Sequence, residues 1–267
     1  VYRHPQKRSL IMTGVHKAAQ LGYSTEASTY AHGRPDYPSD LKTWLRETLD
    51  INPGSTVIDL GAGTGKFTRL LKSMDIDVIA VEPVEAMRTE FTHNLPDVRI
   101  LEGTADSIPL GSGTAQALIC AQAFHWFATE TALAEIHRVL QPNGRLGLIW
   151  NVRDESVDWV AAITKIITPY EADTPRFHTG DWLLPFTGRY FSEPEVTCFP
   201  YAHAGSAQEV IIDRFLSVSF IAALPPAEKA KVAEQLQALI QTHPSLRGHQ
   251  TIEFPYQTQA WLCRRLD

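Results

Sequence analysis

The stretch VIDLGAGTGKFTRLL, residues 57–71, places Gly61, Gly63 and Gly65 directly behind an apolar run that contains Asp59. Glycine turns a chain tightly and lets a ligand approach the backbone, because no Cβ stands in the way. A strand feeding such a loop, with a helix behind it, is a nucleotide-binding arrangement. The dinucleotide fingerprint spaces its glycines G-x-G-x-x-G. Here the third glycine comes one residue early, and Lys66 takes the expected place. Asp59 lies two residues before Gly61, where a carboxylate sits poorly beside a pyrophosphate but well beside an ammonium group. Glu82 closes the next apolar run, 21 residues after Gly61 (82 − 61). A carboxylate there can accept from both ribose hydroxyls, of a dinucleotide or of an adenosine ligand. In EGTADSIPL, Ala105 and Asp106 offer a small residue and an acid able to border an adenine, with Asp106 accepting from the exocyclic amine.

These residues need elements to hold them at one place. STVIDL, DVIAVEP, DVRILEG, AQALICAQ and RLGLIWN read as five strands. The intervening helices are Lys66–Ser73, Val84–His93 and Thr129–Leu140, with a PNG turn before the fifth strand. Apolar strands alternating with helices imply βα units and a parallel sheet covered on both faces. Right-handed crossovers make that sheet doubly wound, and ligands then bind beyond the carboxyl ends of its strands, where the glycines and acids lie. Ser39 is placed to cap a helix running to Leu49, whose Leu41, Trp44, Leu45 and Leu49 share a face. After residue 151 the pattern changes to a helix over Asp158–Ile167 and then TPRFHTGDWLLPFTGRYF, aromatic and proline-rich. EVTCFPYAHA reads as a sixth strand, SAQEVIIDRFLSVSFIAAL and PPAEKAKVAEQLQALI as two helices, and IEFPYQTQAWLCRR as a final antiparallel strand.

The expected fold class is therefore α/β, a doubly wound Rossmann-like sheet of seven strands with helices on both faces and a cap inserted after the fifth strand. Its parts are an N-terminal extension (1–22), a nucleotide-binding core (23–151), a cap over the open end of the sheet (152–194), and strands and helices completing the same domain (195–267). A chain of 267 residues with 44% hydrophobic content can bury such a core. The net charge of −6, without a dense Lys/Arg run, argues against a nucleic-acid partner. Cys120, Cys198 and Cys263 fit neither a disulfide framework nor a zinc spacing, so no metal is expected and a reducing compartment is. No apolar stretch is long enough to span a bilayer, and the basic start VYRHPQKRSLIM lacks the apolar run of a signal peptide. A cytoplasmic protein without a membrane partner is the expectation.

Asp59-Leu-Gly-Ala-Gly-Thr-Gly65, Val81-Glu82-Pro83, Gly103-Thr-Ala-Asp106 and EIHRVLQPNGRLGLIW, in that order, resemble the motifs of class I S-adenosylmethionine-dependent methyltransferases. Within them the chain is similar to the small-molecule branch, trans-aconitate methyltransferase-like, methyltransferase type 11-like and ubiquinone-biosynthesis-like enzymes. The likeness covers about residues 23–151. It implies S-adenosyl-L-methionine as cofactor. Asp59 and the loop of Gly61, Ala62, Gly63 and Gly65 would hold its methionine part, Glu82 and Pro83 the ribose, and Ala105–Asp106 the adenine. TYAHGRPDYP (29–38) resembles the segment before the first helix in this branch, which would bring Tyr30 and Arg34 near the cofactor carboxylate, Arg34 as an ion-pair partner. CAQAFHWF (120–127) resembles the stretch after the fourth strand; Gln122 and Ala123 would border the cofactor, and His125 and Trp126 would face the gap between sulfonium and acceptor.

Methyl transfer from a sulfonium is an in-line displacement, and alignment alone supplies much of its rate. An aromatic wall such as Trp126 suits a cation. His125 has an ordinary pKa suited to a general base for a hydroxyl or amine, or else holds the shape of the loop; a carboxylate acceptor needs no base. Asn151 and Arg153 leave the fifth strand at the open end, where an arginine can clamp an anion. Phe177, His178, Trp182, Phe186, Tyr190 and Phe191 form an aromatic set fit to line a pocket, Trp182 being the acceptor contact named among them. The expected activity is methyl transfer to a small-molecule acceptor, at oxygen ahead of nitrogen or carbon. The alternatives are a binding protein or non-methylating catalyst that keeps the cofactor, and an NAD(P) oxidoreductase, against which Asp59 and the glycine spacing speak. A protein or nucleic-acid methyltransferase is disfavoured by the acidic balance and the cap.

Overall fold

The computed structural model of the chain describes residues 34–267. Its sheet has seven strands in the order β3-β2-β1-β4-β5-β7-β6. They are β1 (Thr56–Leu60), β2 (Asp77–Val81), β3 (Arg99–Leu101), β4 (Ala115–Ala121), β5 (Leu140–Arg153), β6 (Glu195–Gly205) and β7 (Ile252–Arg264). The first five are parallel; β7 runs antiparallel between β5 and β6. The chain order reverses between β1 and β4, so the switch point lies where the glycine loop and Gln122 leave their strands.

Alternation along each strand sends side chains to opposite faces, and both are covered. Ile58, Leu118 and Leu148 join one core with Leu133 and Ile136 of the helix Glu130–Val139. Val57, Ile119 and Ile149 join another, with Leu41 and Leu45 of the helix Leu41–Glu47 and Phe67 and Leu71 of the helix Lys66–Lys72. Thr129 caps the helix Glu130–Val139, its Oγ1 accepting from Ala132 N–H at 3.1 Å. A third core packs Trp159, Val160 and Ile163 of the helix Asp158–Ile167 and Val232 and Leu236 of the helix Pro226–Thr242 onto Phe254 and Tyr256 of β7.

Three local expectations change. Ser39 does not cap the first helix: Asp40 takes that position without a side-chain cap, and the Ser39 hydroxyl donates to its carboxylate at 3.3 Å. The PNG turn is absorbed into β5, which pairs at Leu140 with Ala115, bulges, and resumes pairing at Arg145, Asn143 taking φ +64°. The single helix expected over residues 206–224 is a π-helical turn (Gln208–Asp213), a short α turn (Arg214–Leu216) and, after a break, another (Ser219–Ala222). Burial of Val210, Ile211, Ile212, Phe215, Phe220 and Ile221 decides these windings, since no single α-helical face could turn so many apolar side chains inward. Among the described residues no helix is long and apolar enough to cross a membrane.

Candidate active site

At the end of β1 the glycines turn the chain through left-handed conformations, φ +73° at Gly61, +56° at Gly63 and +86° at Gly65. Two of them are also required by packing. A Cβ on Gly61 would lie 2.7 Å from Ala123 Cβ, and one on Gly65 2.7 Å from Leu95 Cδ1. Glu82, 6% exposed, ties this loop to the end of β2. Its Oε2 accepts from Gly63 N–H and its Oε1 from Val84 N–H, both at 2.9 Å. Burial pushes its carboxyl up, and these two N–H groups oppose that shift. Each oxygen keeps a second lone pair for an outside donor. The Pro83 carbonyl is engaged by Arg88, at 2.7 Å.

Asp59 is 1% exposed. Thr68 donates to its Oδ2 at 2.6 Å, while Oδ1, also buried, meets no donor among the described residues. Burial raises its pKa to about 7, with the Thr68 bond opposing and the Glu82 charge adding. Buried polar atoms are nearly always satisfied, so an orphan beside a hollow marks a place for a donor. That hollow is lined by Arg34, Asp59, Ala62, Gly63, Lys66 and Gln122, among others. Gln122, a non-glycine residue at φ +58°, closes its far side; its N–H donates to Ile149 O at 2.7 Å. Ala123 and Ala105 are buried, and Asp106 is exposed, accepting from Thr129 Oγ1 at 3.4 Å; none of the three lines this hollow.

The segment carrying Arg34 is fastened across the mouth. Lys66 Nζ donates to the Arg34 carbonyl and pairs with Asp36 Oδ1 at 3.4 Å. Asn151 Nδ2 donates to Asp36 O at 2.9 Å, while Asn151 Oδ1 accepts from Thr258 at 2.6 Å. Both ends of the Asn151 amide therefore hold structure, although the residue lines both hollows. Tyr30 lies outside the described residues.

Beyond Gln122 a second hollow opens, about 790 Å³ of empty space with its mouth included. His125, Trp126, Trp150, Arg153, Arg176 and Arg214 are among the residues lining it. Trp150 Nε1–H donates to His125 Nδ1 at 3.1 Å. A neutral ring accepting there carries its proton on Nε2, so it presents a donor. Burial first, then the Arg176 and Arg34 guanidiniums, pull the His125 pKa down to about 3. Trp182, expected as an acceptor contact, is 3% exposed and packed against Trp150 (4.7 Å between ring centroids) and Trp261 (5.0 Å). It touches a neighbouring hollow shared by His125, Thr174 and Arg176, while Phe177 takes the wall beside Trp150.

The comparisons with known proteins converge. Residues 58–148 match the family described as a methyltransferase domain. An uncharacterised methyltransferase-like protein of Schizosaccharomyces pombe is 37% identical over 240 residues, covering 90% of this chain and 93% of that one. An uncharacterised methyltransferase of Mycobacterium tuberculosis is 34% identical over 247 residues, covering 92% and 97%. Among solved structures, a Haemonchus contortus phosphoethanolamine N-methyltransferase bound to phosphomonomethylethanolamine and S-adenosylhomocysteine shares the fold at a TM-score of 0.55 and 10% identity, covering 91% of this chain and 58% of that one. The chain belongs to the class I S-adenosylmethionine-dependent methyltransferases.

In this methyltransferase the cofactor is S-adenosylmethionine, and the residues present fit it. Its ammonium carries the three donors that the Asp59 Oδ1 orphan lacks. Two arginines of the methyltransferase's second hollow were not singled out in the sequence. Arg176 lies inside the aromatic stretch, where the rings drew the reading, and Arg214 inside a run taken as one amphipathic helix. A signal for Arg214 does exist: it falls four residues after Val210 and three after Ile211, on the apolar face where a charge needs a reason.

Proposed function

We propose that this methyltransferase carries a methyl group from S-adenosylmethionine to a small-molecule acceptor, at oxygen. The observation that carries the reading is the pair of adjoining hollows, one around the Asp59 orphan and the glycine loop, the other beyond Gln122, with Arg34, Gln122, Asn151 and Arg214 lining both. Asp59 would take the ammonium, Arg34 and Tyr30 the carboxylate, Glu82 and Pro83 the ribose, and Ala105 and Asp106 the adenine. Gln122 and Ala123 would border the sulfonium, and the segment 152–194 would act as the cap that keeps bulk water and macromolecules from the acceptor. His125 serves better as a hydrogen-bond donor at the acceptor than as a base, because its Nδ1 is taken by Trp150 and its pKa lies far below neutrality. Arg153, largely buried beside Glu155 at 3.7 Å, would meet the acceptor together with Trp126, which lines the same hollow.

The test incubates the protein with methyl-labelled S-adenosylmethionine and a small-metabolite extract, read by mass spectrometry. A labelled species below about the mass that such a hollow admits supports the reading and supplies the acceptor's mass. Label found on protein or nucleic acid instead would overturn the small-molecule reading. Tight cofactor binding with no labelled product from a complete extract would favour a non-methylating use of the same fold.

A further inference from the structure

Arg214 reaches the cofactor hollow from the C-terminal part of the chain. It directly follows the π-helical turn, and such turns are rare and recur at functional sites. Its side chain lines the hollow around Asp59 as well as the one beyond Gln122. Arg214 is 8% exposed, and its Nε and Nη1 meet no acceptor among the described residues. The acid beside it in sequence, Asp213, accepts instead from Gln208 at 2.7 Å. Across the second hollow, Glu155 faces Arg153 at 3.7 Å. Burial first, then the Arg34 guanidinium, pull the Arg214 pKa down to about 10, which leaves it charged at neutrality. A buried charge without a counter-ion is costly, so its place here calls for an anion from outside.

The hollow around Asp59 therefore holds buried orphans of opposite sign, Asp59 Oδ1 and the Arg214 N–H groups. An α-amino acid carries an ammonium and a carboxylate on one carbon, and so presents the matching pair. S-adenosylmethionine ends in that group. In the second hollow, Arg153 and Arg176 already have carboxylates, Glu155 at 3.7 Å and Glu171 at 2.6 Å.

We infer that Arg214 binds the α-carboxylate of S-adenosylmethionine, so that Asp59 and Arg214 between them hold the two charges of its methionine part. The inference rests on the proposed placing of the ammonium on Asp59. Two carboxylate oxygens offer about four lone-pair sites, enough for Arg214 and Arg34 together. Binding of the zwitterion compensates both buried charges while adding no net charge to the core. A cofactor without its carboxylate brings in only an ammonium, and adds a positive charge beside an Arg214 left unpaired. Arg214 is thus a specificity residue for the intact cofactor over its decarboxylated form, supplied by the segment after β6.

Calorimetry on the full chain, with S-adenosylhomocysteine and with its decarboxylated analogue, tests this. Wild type is expected to bind S-adenosylhomocysteine about 30-fold tighter or more, the worth of a charge-assisted contact. Arg214→Met should lose most of that preference, binding S-adenosylhomocysteine more weakly and the decarboxylated analogue as well as wild type or better. Arg214→Lys, which keeps a charge, should retain part of the preference. Without ligand, Arg214→Met should melt no lower than wild type, because it removes an uncompensated charge. Asp59→Asn should weaken both ligands, since both carry the ammonium. A wild type that binds the two ligands alike, or an Arg214→Met variant that keeps the full preference, would overturn the inference. So would equal losses for both ligands in Arg214→Met, which would make Arg214 a support for the hollow's shape. Unchanged affinities in Asp59→Asn would instead overturn the placing of the ammonium, while the preference in wild type and Arg214→Met still decides the role of Arg214.

Discussion

At the ends of β1 and β2 the buried charges are carboxylates, Asp59 and Glu82, each within a few residues of the strand that delivers it. Across Gln122 they are guanidiniums, and these arrive from the end of β5, a turn near residue 176 and the segment after the π-helical turn. The first hollow is built around the local glycine loop and carries both signs, Asp59 with Arg34, Lys66 and Arg214; the second is assembled from distant segments and is dominated by guanidiniums. Gln122 at the boundary carries a left-handed backbone that its hydrogen bond to Ile149 holds in place.

The local build of the acidic side makes it the easier one to break. Gly61→Ala adds a Cβ 2.7 Å from Ala123 at a left-handed residue, and should lower stability by about 3 kcal/mol in chemical denaturation with loss of measurable cofactor binding. A variant as stable as wild type would mean that the loop yields more freely than its packing implies. Glu82→Ala removes the acceptor for Gly63 and Val84 N–H, and should weaken cofactor affinity by about 2 kcal/mol by calorimetry. Equal affinity would displace the ribose from this carboxylate.

Asp59→Asn separates binding from stability. An acid whose folded pKa of about 7 exceeds its ordinary 3.8 keeps a proton that the unfolded chain has released, so stability falls as pH rises between those values. Removing the charge should therefore stabilise the cofactor-free protein at pH 8 by about 1–2 kcal/mol, less the Thr68 bond. The gain should vanish toward pH 4, while cofactor affinity drops at pH 8. Reduced stability at pH 8 would show that Asp59 is not held against its own burial. His125 has the opposite sign. Its folded pKa of about 3 lies below the ordinary 6.5, so it adds stability that is lost as pH falls from 6.5. In catalysis the effect should be small: His125→Gln is expected to lower kcat by tenfold or less, equally at pH 6 and pH 9. A loss growing with pH would restore the base role.

The acidic side was legible in the sequence because its geometry is set by neighbours along the chain. A β-strand ending in Leu60, glycines at fixed offsets and a carboxylate ending the next strand leave few ways to arrange the loop. The strands and most helices were legible for the same reason, their apolar periodicities reporting burial on two faces. Aromatic composition does not say which ring faces which hollow: Phe177 lines the second one, whereas Trp182 packs against Trp150 and borders the neighbouring hollow. Asn151 reads as a substrate-side residue at the open end of the fifth strand, and its amide bridges Asp36 and Thr258, partners 115 and 107 residues away.

By itself, then, the amino-acid order determined the alternating β and α units, the glycine turn, and the placing of Asp59, Glu82, Gln122 and His125 at one end of the sheet, since each depends on spacing of a few residues. Only the tertiary structure decided the charge of the second hollow and the protonation of His125. Arg153, Arg176 and Arg214 converge through the packing of β5, the aromatic segment and the π-helical turn on β7. The His125 pKa follows from burial and from two of the four arginines around it. Electrostatic energy depends on separation in space and on the surrounding dielectric, and neither is written in sequence distance.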